Sequence, residues 1–171
     1  AAIAYTLQKF DNLSHDNISN NLRVWCCSYL QRGFGSMFYQ WVVNGVNIPY
    51  NSFGNGALMR VSPVAKYAIK MNYSLKDAKE LAKKVTEVTH NHPKALLAVE
   101  IYTEILYNLL VEKRTPSVAK QYIKDTLLKY NYATPKTIDE YRVTLEFDVT
   151  CETSLLVAFA AIDLSDSFED V

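Results

Sequence analysis

The sequence predicts an all-α fold, and three observations carry that prediction. Apolar residues recur at helical spacing in nearly every segment. Helix-start chemistry stands ahead of several of those segments: Ser62-Pro63, Ser74 three residues before Asp77, Pro93, and Thr115-Pro116. Two stretches, KALLAVEIYTEILYNLLVEK (94–113) and CETSLLVAFAAIDL (151–164), are apolar over most of their circumference, as helices buried inside a bundle must be.

The elements follow in order. Residues 1–9 have helical composition but no capping residue before them. Asn17 to Tyr29 places Ile18, Leu22, Trp25 and Tyr29 at helical spacing. In GFGSMFYQWVVNG (33–45) two glycines loosen the start, and Ser36 is positioned to cap a short helix through Met37, Phe38 and Trp41. A polar, turn-rich stretch to Gly56 reads as a long loop. The next helix starts either at Ser62-Pro63 or at Ala57 with a kink at Pro63; local sequence allows both. Ser74 and Asp77 form a capping box with Asp in place of Glu, opening a helix to about Val88. THNHP (89–93) is a break, and Pro93 starts the central helix. Thr115-Pro116 starts another, to about Tyr130. Residues 131–150 read as irregular, with a short extended piece at RVTLEF (142–147), before the last buried helix. No repeat or second domain is evident, so residues 1–171 are expected to form one domain.

Composition narrows the function classes. The 171 residues are 49% hydrophobic, enough for a core. Eighteen basic residues balance 18 acidic ones, which removes the main electrostatic argument for nucleic acid. No apolar run approaches a membrane span. The 3 cysteines, Cys26, Cys27 and Cys151, are a poor disulfide framework and read as reduced thiols, hence a cytoplasmic protein. No second cysteine pair completes a zinc site with Cys26-Cys27.

Three stretches could carry chemistry. Gly54-Asn55-Gly56 spends two of only 5 glycines within three residues, directly before a helix. Glycine reaches backbone angles other residues avoid, so such a turn can aim successive N–H groups at an anion; it can also be a tight inter-helix turn. In THNHP, His90 either contacts a ligand or packs beside the loop, while His92 suits the cap of the helix opened by Pro93; no neighbouring cysteine or carboxylate completes a metal site. Asp148, Cys151 and Glu152 lack a paired base, so Cys151 reads as a small buried residue. Glu100 and Glu104 share a helical face and read as surface or structural carboxylates.

Three ordered segments carry a resemblance. PYNSFGNGALMRVSPVA, ELAKKVTEVTHNHPKAL and FDVTCETSLLVAFAAI together resemble the ADP-ribosylglycohydrolase family, which includes the dinitrogenase reductase-activating glycohydrolase and the ADP-ribosyl-acceptor hydrolases. The pattern G-N-G-x-x-M-R-x-x-P is matched by Gly54, Asn55, Gly56, Met59, Arg60 and Pro63. T-H-x-H-P is matched by Thr89, His90, His92 and Pro93. The resemblance covers essentially the whole chain, including the glycine- and aromatic-rich RGFGSMFYQW.

The resemblance implies a compact multi-helix bundle that hydrolyses the C1″ glycosidic bond between ADP-ribose and a protein side chain or small acceptor, with two magnesium ions assisting. It implies that Ser52, Phe53, Gly54, Asn55 and Gly56 lie against the diphosphate and ribose, that His90 contacts the ligand, and that Arg60 fastens the loop to the helix behind it. The family's metal-binding T-D-D-T and G-G-D-x-D-T segments are not in these 171 residues. Asp16 and Asp148 have no supporting surroundings as substitutes. The expectation is therefore a bundle truncated at both ends, its metal ligands outside the chain, inactive by itself. The competing readings are a metal-free module that holds ADP-ribose or a nucleotide, and a purely structural, crystallin-like relative.

Overall fold

The computed structural model describes residues 1–132, 136–144 and 148–165. Among them the chain is helix and turn, as the sequence predicts, and the only extended pairing is one antiparallel bridge between Gly54 and Thr150. The helices are α1 (Ala2–Lys9), α2 (His15–Cys27), α3 (Ser36–Asn44), α4 (Gly56–Met59), α5 (Ser62–Lys70), α6 (Leu75–Glu87), α7 (Pro93–Val111), α8 (Pro116–Lys129), α9 (Ile138–Thr144) and α10 (Cys151–Leu164).

Helix α7 is the axis of the fold and packs against α4, α5, α6, α8 and α10. Its sequence explains why. Ala95 and Ala98 are fully buried, as are Ala65 and Ala68 of α5 and Ala78 and Ala82 of α6, the two helices packed on this side of α7. Side chains this small let helix axes approach closely. Ile101, Ile105, Val85, Leu127 and Leu155 then fill the wider parts, each worth about 1.5–3 kcal/mol on burial.

One carboxylate lies inside this packing. Glu104 of α7 is 4% exposed. It accepts hydrogen bonds from Lys79 Nζ (2.9 Å), Lys129 Nζ (2.6 Å) and Tyr130 Oη (2.6 Å). Burial alone would raise its pKa; the bonds from Lys129, Tyr130 and Lys79 outweigh it and hold the carboxyl down at about 2. Lys79 also pairs with Glu100 at 3.0 Å. The two carboxylates are thus structural, stapling α6 and α8 to α7.

Local capping chemistry sets most boundaries. At α6 the box is complete: Asp77 N–H donates to Ser74 Oγ (3.2 Å) and Ser74 N–H to Asp77 Oδ2 (3.3 Å). At α7, His92 Nδ1 accepts from Lys94 N–H at 3.1 Å, the cap expected of it. The choice left open at residues 57–63 resolves as both alternatives. The chain turns helical at Gly56, breaks after Met59, and resumes at Ser62. Pro63 has no N–H for the Met59 carbonyl and its ring crowds that oxygen, so one continuous helix cannot form.

Three expectations need correction. Helix α2 begins at His15, before Asn17, because Ser14 Oγ accepts from Asn17 N–H at 3.2 Å, and it ends at Cys27, short of Tyr29. Ser36 is the first residue of α3 and Gly35 occupies the cap position. The extended piece expected from Arg142 is instead the end of α9, which Thr137 and Glu140 open with a reciprocal pair: Thr137 N–H to Glu140 Oε2 (2.8 Å), Glu140 N–H to Thr137 Oγ1 (3.2 Å). Residues 145–147 of that piece lie outside the described residues.

Candidate functional site

The site is built where three loops meet: 50–56 between α3 and α4, 89–92 between α6 and α7, and 148–150 ahead of α10. Backbone bonds sew them together. Tyr50 N–H donates to Thr89 O (3.3 Å), Asn55 N–H to Val149 O (2.7 Å), and Cys151 N–H to Phe53 O (2.9 Å). Asn51 N–H donates to the Asn91 side-chain oxygen at 2.8 Å. The left-handed turn in the first loop falls at Asn51, φ 55°, a conformation asparagine tolerates through its short polar side chain. These three loops, one from each segment that carries the family resemblance, therefore form one surface.

The glycines are required here for a different reason than the sequence suggests. Neither Gly54 nor Gly56 has positive φ, and Asn55 is in the right-handed helical region at φ −62°, ψ −15°. Within Gly54-Asn55-Gly56 two N–H groups are already used inside the protein, Asn55 on Val149 O and Gly54 on Ser52 Oγ (3.1 Å). Of the two readings the sequence left open, the turn between helices is the one formed, without left-handed glycines. What the glycines supply is space. A Cβ on Gly56 would lie 3.1 Å from His90 Nε2 and 3.3 Å from Cε1, and one on Gly54 would lie 3.4 Å from Ser52 Oγ and 3.7 Å from His90 Nε2. The imidazole stands directly against bare backbone.

His90 is 5% exposed and anchored from behind. Its Nδ1 is 2.7 Å from Thr89 Oγ1 and 3.5 Å from an Arg60 terminal nitrogen. Arg60 extends from the C-terminal end of α4 and uses the rest of its fork locally: Nε donates to Gly56 O (2.9 Å) and Nη1 to Thr89 Oγ1 (2.8 Å). It thus joins the glycine loop to the segment at the end of α6, and its guanidinium lies 6.0 Å from the Phe38 ring centre. Among the described residues no carboxylate pairs with it. Burial lowers its pKa to about 10, which leaves it charged at neutral pH. Burial, then the charge of Arg60, push His90 down to about 3, so the imidazole is neutral. The Tyr50 ring packs 5.8 Å from that of His90, and burial pushes its hydroxyl up to about 12.

The outer wall is aromatic and polar. Phe53 is 44% exposed and packs on His92, ring centres 5.1 Å apart. Ser52 is held by its bond from Gly54 N–H. Among the described residues the Asn55 side-chain amide makes no hydrogen bond, which leaves it open to an incoming group. Ser52, Phe53, Gly54, Asn55, Gly56 and His90 therefore stand together. Tyr50, Asn51, Thr89 and Asn91 complete the site; Thr89 belongs to the T-H-x-H-P motif, while for the other three the only signal in the sequence is their place in or beside the two motifs.

The other candidates are accounted for structurally. Asp148 Oδ1 accepts from Thr150 N–H (2.6 Å) and Oδ2 from Thr153 Oγ1 (2.7 Å), which lowers its pKa and fixes the start of α10. Cys151 is fully buried and its thiol is pushed up to about 11, mainly by burial, so it is a core residue and no nucleophile. Asp16 accepts from Asn47 Nδ2 at 3.0 Å. Among the described residues no three His, Cys, Asp or Glu side chains stand close enough together to hold a metal ion. A cleft of about 460 Å³ lies among α8, α9 and α10 and shares no residue with the loops. Among the described residues no helix is long and apolar enough to cross a membrane.

A family model for ADP-ribosylglycohydrolase matches residues 3–166 of the chain. No curated protein and no solved structure matches it.

Proposed function

The chain belongs to the ADP-ribosylglycohydrolase family, and on that premise we propose that it binds the ADP-ribosyl group at the loop 52–56 and His90 and serves the hydrolysis of the C1″ glycosidic bond to a protein side chain or small acceptor. One observation supports this most strongly. A buried, neutral imidazole packs against two glycines, which brings ring and loop backbone together beside the half-exposed Phe53. The roles then divide by chemistry. Gly54 and Gly56 admit a diphosphate close to the backbone. Asn55 offers an amide to a ribose or phosphate oxygen. Phe53, half exposed, offers a face for stacking. His90 contacts the ligand from below, and the uncompensated charge of Arg60 favours an anion nearby.

Two magnesium ions belong to the same proposal, bound as cations that orient water and stabilise charge on the sugar. The described residues do not fit such a pair. Asp148 is spent on the cap of α10, Asp16 bonds to Asn47, and no carboxylate cluster stands near His90. A cytoplasmic setting is part of the reading, supported by three free thiols.

The test uses ADP-ribosylated arginine and serine peptides with magnesium, following released ADP-ribose by chromatography, alongside calorimetric titration of free ADP-ribose. The 171 residues by themselves are expected to bind at micromolar or tighter affinity without release, and release abolished by a chelator is expected only from a protein that also supplies the magnesium ligands. Binding without release from that protein under any metal condition would replace hydrolysis by an ADP-ribose-holding module. Neither binding nor release would leave a structural relative of the family.

A further inference from the structure

Resting on the reading that His90 meets the bound ADP-ribosyl group, we propose that Thr89 and Arg60 are positioning residues that fix the His90 imidazole as the tautomer protonated on Nε2, so that it presents an N–H donor, and no basic lone pair, to the ligand. The argument is a count of donors around one nitrogen. Arg60 Nη1 donates to Thr89 Oγ1 at 2.8 Å, and a guanidinium accepts nothing in return. The threonine hydroxyl hydrogen is therefore free for its other neighbour, His90 Nδ1, 2.7 Å away. The second Arg60 terminal nitrogen also directs an N–H toward Nδ1, at 3.5 Å. Two donors converge on Nδ1, so that atom carries the lone pair. A proton there would face the N–H of a cation. In a neutral ring the hydrogen then sits on Nε2.

Nε2 is the atom that faces the loop. It is the nearest atom to the place where a Gly56 side chain would begin, at 3.1 Å, and lies 3.7 Å from the same place on Gly54. The Arg60 Nε bond to Gly56 O (2.9 Å) sets the height of that backbone over the ring. One guanidinium thus fixes both the donor and the wall beside it. A ligand oxygen, from phosphate or ribose, is the acceptor this arrangement suits. His90 is a binding donor and takes no proton from water or substrate.

The tautomer is read directly by two-bond proton–nitrogen correlation spectra of the full chain labelled with ¹⁵N-histidine, without ligand. The wild-type protein is expected to show the Nε2-protonated pattern for His90. Thr89→Val keeps the shape but removes the hydroxyl, and is expected to give a mixed pattern with about tenfold weaker ADP-ribose binding; Thr89→Ser restores both. Arg60→Lys keeps a charge but loses the fork, and is expected to give the mixed pattern as well. An Nδ1-protonated His90 in the wild-type protein overturns the proposal, as does a folded Thr89→Val protein with the pure wild-type pattern. Since the pattern needs no ligand, a correct tautomer in a protein that fails to bind ADP-ribose counts against the proposed function and not against the assignment.

Discussion

Gly56→Ala adds a single carbon at the point where the site is most crowded. That carbon would stand 3.1 Å from His90 Nε2 and 3.3 Å from Cε1, against a comfortable separation of about 3.5–4.0 Å. The ring would have to retreat by a few tenths of an ångström. It cannot do so freely, because Nδ1 is held 2.7 Å from Thr89 Oγ1 and the residue is 95% buried. Overpacking of this kind costs about 1–3 kcal/mol. Alanine in place of glycine at a helix start returns up to about 1 kcal/mol. The net expectation is a loss of about 1 kcal/mol, or about 2–4 °C in Tm for a chain of this length. Binding should suffer more. The new methyl group covers the Nε2–H, and losing a hydrogen bond to a charged ligand costs about 1.5–3 kcal/mol, roughly 10- to 100-fold in Kd. Differential scanning calorimetry and ADP-ribose titration of the same samples measure both. Gly54→Ala is the internal comparison: its nearest contact is 3.4 Å, an ordinary distance, so it should fold as well as wild type. Gly56→Val should amplify both losses by adding a branched side chain. A Gly56→Ala protein with wild-type Tm and wild-type affinity would refute the account of why glycine stands there.

Glu104→Gln should destabilise the fold by about 2–3 kcal/mol in urea unfolding, because it leaves Lys79 half-buried with only Glu100, while the partly exposed Glu100→Gln should cost under about 1 kcal/mol. Stability should fall with acid. His90 drops from 6.5 to about 3 on folding, so below pH 6.5 the unfolded chain takes up a proton the native state refuses. That contribution is complete above pH 6.5, is lost progressively as pH falls toward 3, and amounts to about 2 kcal/mol by pH 5. Glu104, held at about 2 against 4.5, adds a second loss below pH 4.5, so urea midpoints should decline in two stages. Native protein treated with iodoacetamide at pH 8 should be alkylated at the exposed Cys27 and spared at Cys151, whose thiol is buried and pushed up to about 11; mass spectrometry of the digest decides it.

What could be read from the sequence was what is local. The Ser74–Asp77 box, the His92 cap and the Pro63 break each depend on atoms within four residues, and each stands where the sequence puts it. The central place of α7 follows from its nearly uninterrupted apolar surface. The α9 helix was missed because Val143 and Thr144 favour extended backbone, and the Thr137–Glu140 box that overrides them was passed over. The glycine motif is visible in the sequence, but its packing partner is not. Its backbone is ordinary, and the need for glycine comes from His90, more than thirty residues away, which no local pattern reveals. The same is true of Arg60. Its tie to Gly56 is a single helical turn, but its hold on Thr89 and His90 exists only once α4 and the segment after α6 have come together.

The central claim is that the loop 52–56 and His90 receive the ADP-ribosyl group. Amide and imidazole shifts of the labelled full chain, followed while ADP-ribose is titrated in, test it most directly. The account predicts that Phe53, Gly54, Asn55, Gly56 and the His90 Nε2–H move first and furthest, saturating together. Saturating ADP-ribose that leaves those signals in place, and shifts instead the residues around Lys124, Ile138 and Phe159 in the cleft among α8, α9 and α10, would contradict it.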